Sequence, residues 1–113
     1  MFKKLLPVFL MAVLVANVAF AHPPADVATQ YNPSKKELHV TVIHPVPDTT
    51  KHYIKAIKVI KDGNTIKEES FSEQNNRMTQ PAVLVLDNVK PGDKITIEAE
   101  CSINGTGVKH LDL

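Results

Sequence analysis

Apolar and polar positions alternate along this chain in short runs, and most runs end at a proline or glycine. In Glu37-Leu38-His39-Val40-Thr41-Val42-Ile43-His44, the residues Leu38, Val40 and Val42 share one parity, and Glu37, His39 and Thr41 share the other. Successive side chains of a strand point to opposite faces, so a period of two predicts a half-buried strand. His44 falls at its end, in register with the apolar face. Lys94 to Cys101 shows the pattern most cleanly, with Ile95, Ile97, Ala99 and Cys101 opposed to Thr96, Glu98 and Glu100. A strand from about His52 to Ile60 is less regular. Ile54 and Ala56 have one parity and Ile57 and Val59 the other, which a β-bulge or burial on both faces accounts for. Asp62-Gly63 predicts a tight hairpin turn, with a return strand from Thr65 to about Phe71. Ala82 to Leu86 is a further strand behind Pro81, and Thr106 to Leu113 a short last strand or tail.

The breakers divide these runs. Pro45 and Pro47 make 45–50 a loop, 72–80 is a polar connection, and Pro91-Gly92-Asp93 and Asn104-Gly105 are turns. Pro23, Pro24 and Pro33 make 22–36 an extended N-terminal arm ahead of a domain over 37–113. Beyond residue 21 no segment keeps a 3.6-residue period. The predicted class is all-β, an antiparallel sandwich of six or seven short strands, with a small closed barrel as the alternative.

Residues 1–21 follow a different logic. Lys3 and Lys4 precede an apolar run from Leu5 to Val18, and Ala19-Phe20-Ala21 is a small-x-small cleavage site. That is the layout of a secretory signal peptide, and the run is too short to span a bilayer comfortably. The expected mature chain starts at His22 and is periplasmic or secreted, with no membrane attachment. Removing residues 1–21 from 113 leaves 92, enough for one domain. The loss of Lys3 and Lys4 takes the formal charge from +1 to −1. A near-neutral chain without tryptophan has no electrostatic footing for nucleic acid.

Candidate chemistry is concentrated in imidazole and thiol. All five histidines lie beyond residue 21, at 22, 39, 44, 52 and 110, and Cys101 is the single cysteine. An exported domain this small often relies on disulfides, so an isolated cysteine is unusual. It is either a buried small hydrophobe, an intermolecular bridge, a redox centre or a metal thiolate. His44 closes one strand, His52 opens the next and Cys101 closes a third. Strand ends gather at the rims of a sandwich, so these three can converge on a soft, nitrogen-rich site suited to iron, copper or zinc. His22 at a new N-terminus offers an α-amino nitrogen and an imidazole on one residue, a chelate suited to Cu(II). His39 faces away from Leu38 and Val40 and reads as a solvated residue. No carboxylate pair, Ser-His-Asp set or phosphate loop is present.

His44-Pro45, His52-Tyr53-Ile54 before the Asp62-Gly63 hairpin, and Lys90-Pro91-Gly92-Asp93-Lys94 leading to Cys101-Ser102-Ile103-Asn104-Gly105 resemble, in order, the iron domain of superoxide reductases (desulfoferrodoxin and neelaredoxin). The resemblance covers about 37–105. It implies an immunoglobulin-like β-sandwich of about seven strands holding one non-haem Fe(II)/Fe(III). Four imidazoles lie in a plane around the iron and a cysteine thiolate on the axis, and superoxide is reduced to hydrogen peroxide with electrons from a separate donor. The axial thiolate's electron push parallels that of haem-thiolate enzymes. His44 and His52 match imidazole ligands, Cys101 the thiolate and His22 the upstream histidine. The chain departs from the pattern at several points. Asn104 stands where the family has its late histidine, leaving His110 or His22 to complete the site. The 44–52 loop is two residues longer than usual. Ala21 precedes His22 where the family has a Glu-Lys pair whose lysine attracts superoxide, and Lys51 beside His52 is the substitute cation. The functional alternative is a periplasmic metal- or partner-binding sandwich without turnover, including copper binding through His22.

Overall fold

The computed structural model describes residues 22–113; the signal-peptide reading of 1–21 lies outside the described residues. Seven antiparallel strands are present: β1 (Asp26–Asn32), β2 (Glu37–Ile43), β3 (Ile54–Lys61), β4 (Asn64–Ser70), β5 (Thr79–Val85), β6 (Lys94–Cys101) and β7 (Thr106–Asp112). They form two sheets, β1-β2-β5 and β4-β3-β6-β7, and no helix occurs among the described residues. The protein is an all-β sandwich, and the barrel alternative falls away.

The inward faces are those the alternation marked. Leu38, Val40 and Val42 of β2 meet Ile95, Ile97 and Ala99 of β6 in one buried cluster, joined by Ile54, Ile57 and Val59 of β3 and Ala82 and Leu84 of β5. Removing this apolar area from water is the main source of stability, at about 25 cal/mol per Å². The mixed parity of β3 has the cause expected of it. Its pairing with β6 shifts between Ile54 and Ala56, so Ile54, Ala56, Ile57 and Val59 are all buried. At the Asp62-Gly63 turn both residues have positive φ, 52° and 81°, the geometry of a two-residue hairpin whose twist suits the strands it joins.

The stretch read as an extended arm is extended, but 26–32 pairs along the whole of β2, from Asp26 opposite Ile43 to Asn32 opposite Glu37. The sandwich therefore begins at Asp26 and not at Glu37. Only Val27 of β1 is buried, which explains why no alternation announced it. The remaining strands agree with the sequence reading to within a few residues.

Candidate metal centre

One rim of the sandwich collects the ends of three strands from both sheets. His44 follows β2 directly, Cys101 is the last residue of β6, and His52 lies two residues ahead of β3. Because Ile54 pairs with Cys101, the start of β3 and the end of β6 lie side by side. The two are fastened again one step further out. The Ser102 N–H donates to the Tyr53 carbonyl at 2.8 Å, and the Tyr53 N–H donates to Ser102 Oγ at 3.1 Å. His52 is set by the loop before it, whose Asp48 carbonyl accepts the N–H groups of Lys51 and His52. That loop is closed by the Asp48 carboxylate, which accepts from the Thr50 N–H and hydroxyl at 2.9 and 2.7 Å.

These constraints bring three side chains together. His44, His52 and Cys101 are 0%, 6% and 4% exposed, and one ligand atom from each lies within 4.8 Å of the others. His52 Nε2 is 3.0 Å from Cys101 Sγ. Donors on one metal at bonds of 2.0–2.3 Å stand about 3 Å apart when adjacent and about 4.4 Å when opposite. The His52–Cys101 pair has the adjacent spacing, and the 4.8 Å that bounds the whole cluster is a little wider than the opposite one.

His44 gives the more telling observation. Gln74, itself buried, spends its amide group as a donor to the carbonyls of His44 and Asn76, at 2.7 and 3.0 Å. Its Oε1 is thereby an acceptor, and His44 Nδ1 lies 2.8 Å from it. The proton of the neutral ring belongs on Nδ1, and Nε2 keeps its lone pair. That Nε2 is fully buried and has no hydrogen-bond partner. An unpaired buried acceptor costs about 1–3 kcal/mol. A ring nitrogen fixed through its neighbour in this way is the arrangement of metal-ligating histidines. The residues present therefore fit a metal ion of imidazole and thiolate preference. Burial, then the neighbouring His44 and His22, lower the His52 pKa, which favours the neutral ring that can ligate. The Ile103 N–H points at Cys101 Sγ over 3.5 Å, a donor for a thiolate.

His22 joins the group. Its ring centroid is 5.5 Å from that of His44 and 5.3 Å from that of His52, which are 4.7 Å from each other. It is half-buried, and its Nδ1 lies 3.2 Å from the Pro23 carbonyl. The other expected residues lie elsewhere. His110 is exposed on β7, opposite Thr96, whose hydroxyl is 3.1 Å from its Nδ1. Thr96 is five residues from Cys101 along β6, roughly 16 Å at a strand's rise, so His110 does not complete the cluster. Asn104 is exposed in the β6–β7 turn, Lys51 is exposed in the turn ahead of His52, and His39 is on the outer face, 3.3 Å from Glu37. Sequence reasoning missed Gln74, which sits in a polar connection and carries no pattern to distinguish it.

No protein-family model matches the chain, and neither does any curated protein. Solved structures do match. The superoxide reductase (1Fe-SOR) from Giardia intestinalis superposes with a TM-score of 0.61 at 14% identity, over 81% of this chain and 100% of that one. A crystallised superoxide reductase in its oxidised state gives 0.55 at 19% identity, over 81% and 90%. A hypothetical protein from Pyrococcus horikoshii OT3 gives 0.54 at 18%, over 81% and 89%. At these identities the likeness is one of fold: the chain is a β-sandwich whose fold is like that of superoxide reductases.

Proposed function

We propose that the chain is an exported, mononuclear non-haem iron protein that reduces superoxide to hydrogen peroxide. The observation that carries this reading is the buried, unpartnered Nε2 of His44, on a residue that offers a ligand atom within 4.8 Å of those of His52 and Cys101. The fold shared with superoxide reductases selects iron from the metals such donors suit. His44, His52 and Cys101, with His22 beside them, would hold the iron, and ferrous iron would supply the one electron that superoxide needs, in addition to two protons, to leave as hydrogen peroxide, an external donor restoring that electron.

The protein's own residues have separate tasks in this scheme. Gln74 holds the His44 ring in one tautomer and one orientation. The Ile103 N–H moderates the charge on Cys101 Sγ. The surrounding burial lowers the His52 pKa and so favours its neutral ring. Lys51, exposed beside His52, adds positive potential at the rim, which raises the encounter rate of a small anion.

Loading the purified protein with Fe(II) under argon and then oxidising it tests the reading. A thiolate-to-ferric absorption band is expected, absent in Cys101→Ser, together with superoxide consumption that yields peroxide without dioxygen. Stable iron without superoxide-dependent oxidation would remove the reductase and leave a metal-holding module, the reading favoured by the asparagine at 104. Failure to hold iron would remove both.

A further inference from the structure

His44, His52 and Cys101 bring two nitrogens and one sulfur to the rim, and the His22 ring beside them adds a third nitrogen, one short of four nitrogens and a sulfur around the metal. Among the described residues no other histidine reaches the rim, since His39 and His110 are on outer faces. We infer that the α-amino group of His22, freed by cleavage after Ala21, is itself a ligand of this centre, an inference that rests on the metal site proposed above. It closes a chelate with the imidazole of the same residue.

The path of the chain from His22 to β1 supports this. The Ala25 N–H donates to the Ile43 carbonyl at 2.8 Å, which pins the entry to β1 beside His44. From there the chain crosses the rim toward the β6–β7 turn. Pro24 is buried, and Pro23 lies against Gly105 so closely that a Cβ there would stand 2.7 Å from Pro23 Cβ and 2.8 Å from its Cα. A Cβ on Gly107 would meet Pro24 Cβ and Val27 Cγ2 at 3.1 Å. Two glycines thus open a seat for two prolines, whose fixed φ angles limit the excursions of the residue before them. The result is a His22 ring held beside those of His44 and His52, by packing of Pro23 and Pro24 against the β6–β7 side and a hydrogen bond from Ala25 to the end of β2.

The chemistry then depends on what precedes His22. With Ala21 attached, the His22 nitrogen is an amide whose lone pair is delocalised into the peptide bond, and it is no donor. Once free, it is a primary amine. Amine and Nδ1 are joined through Cα, Cβ and Cγ, so their binding to one metal makes a six-membered ring. The exposed 3.2 Å contact of Nδ1 with the Pro23 carbonyl is what the metal bond replaces, and such a contact is worth little in water. With His44 and His52 the nitrogens become four, and Cys101 supplies the sulfur. Removal of the leader would then be the step that finishes the metal site, so that the precursor cannot hold its metal in the mature way.

The test compares chains that differ only ahead of His22. The full precursor is expressed in an exporting bacterium and the N-terminus of the purified product read by intact mass; a second form carries one glycine before His22. Fe(II) under argon is the probe, with affinity measured against a chelator and Cu(II) run as a second metal. The expected results are a product beginning at His22 and a loss of affinity on the order of tenfold to a hundredfold in the glycine-extended form, with an unchanged melting curve for the metal-free protein. His22→Ala, which keeps the amine and loses the chelate, should weaken binding as well. Equal affinity of the two forms, or a product starting elsewhere, overturns the amine ligand while Cys101→Ser still abolishes binding in both. If neither form binds metal, the metal centre falls and the amine ligand with it.

Discussion

Asp93 and Cys101 bracket β6, roughly 26 Å apart at a strand's rise, and the molecule treats its two ends in opposite ways. Around Asp93 every demand is met within the chain. Its carboxylate accepts the Lys90 N–H at 2.9 Å and the ammonium groups of Lys90 and Lys61 at 3.0 Å. The Lys90 backbone and side chain, then Lys61, hold its pKa well below the usual carboxylate range. Around Cys101 the same kinds of group are brought together and left unfinished. A buried imidazole nitrogen has no partner, and burial and two further imidazoles disfavour a proton on His52. Folding alone explains the first end. The second makes sense when something arriving from outside completes it.

The contrast can be broken most sharply at the ligands. Cys101→Ser and His44→Ala should each abolish stable Fe(II) binding, whereas Asp93→Asn should leave it intact, as metal content after gel filtration would report. Gln74→Leu is expected to lower metal affinity by about 10- to 100-fold with every ligand still in place, because the His44 ring loses the acceptor that orients it. The same change leaves two carbonyls without their donor and should destabilise the apo protein by about 1–3 kcal/mol, read from urea midpoints. Gly105→Ala meets a contact of 2.7 Å at a φ of +91°, so a stability loss of about 1–3 kcal/mol is expected. Its metal affinity should fall too, through displacement of Pro23.

The smallest effects are in pH. A base with a lowered folded pKa, such as His52, adds stability that is complete above its ordinary value of 6.5 and is lost as pH falls below it. Asp93 behaves alike in sign but in a lower window, its contribution present above the ordinary 3.8 and lost on further acidification. Chemical denaturation of the metal-free protein across pH 2–8 should show two separate descents. His52→Gln should remove the upper one and Asp93→Asn the lower. Both descents persisting in either variant would deny the division of labour between the ends.

Much of the fold was legible because the core-facing residues alternate. The faces of β2 and β6 follow from parity alone, and Asp62-Gly63 announced the hairpin through its backbone requirements. β1 was not legible as a strand, since an edge strand with one buried residue has no apolar stripe to display and its prolines suggest a loose arm. The candidate site divides in the same way. His44, His52 and Cys101 were found because each ends or begins a strand on an inward or rim position. Gln74 was not, because its role comes from a fold-back of the 72–78 connection that no local spacing records.

His44 leaves the three-stranded sheet, and His52 and Cys101 belong to the four-stranded one. An occupant bonded to all three is therefore a cross-link between layers that share the apolar core, spanning 57 residues of chain from donor to donor. With its one thiol free, this domain has no covalent staple. A cation present at a hundred times its dissociation constant would add about 2.7 kcal/mol to the folded state. Cofactor capture and mechanical closure of the sandwich would then be a single event.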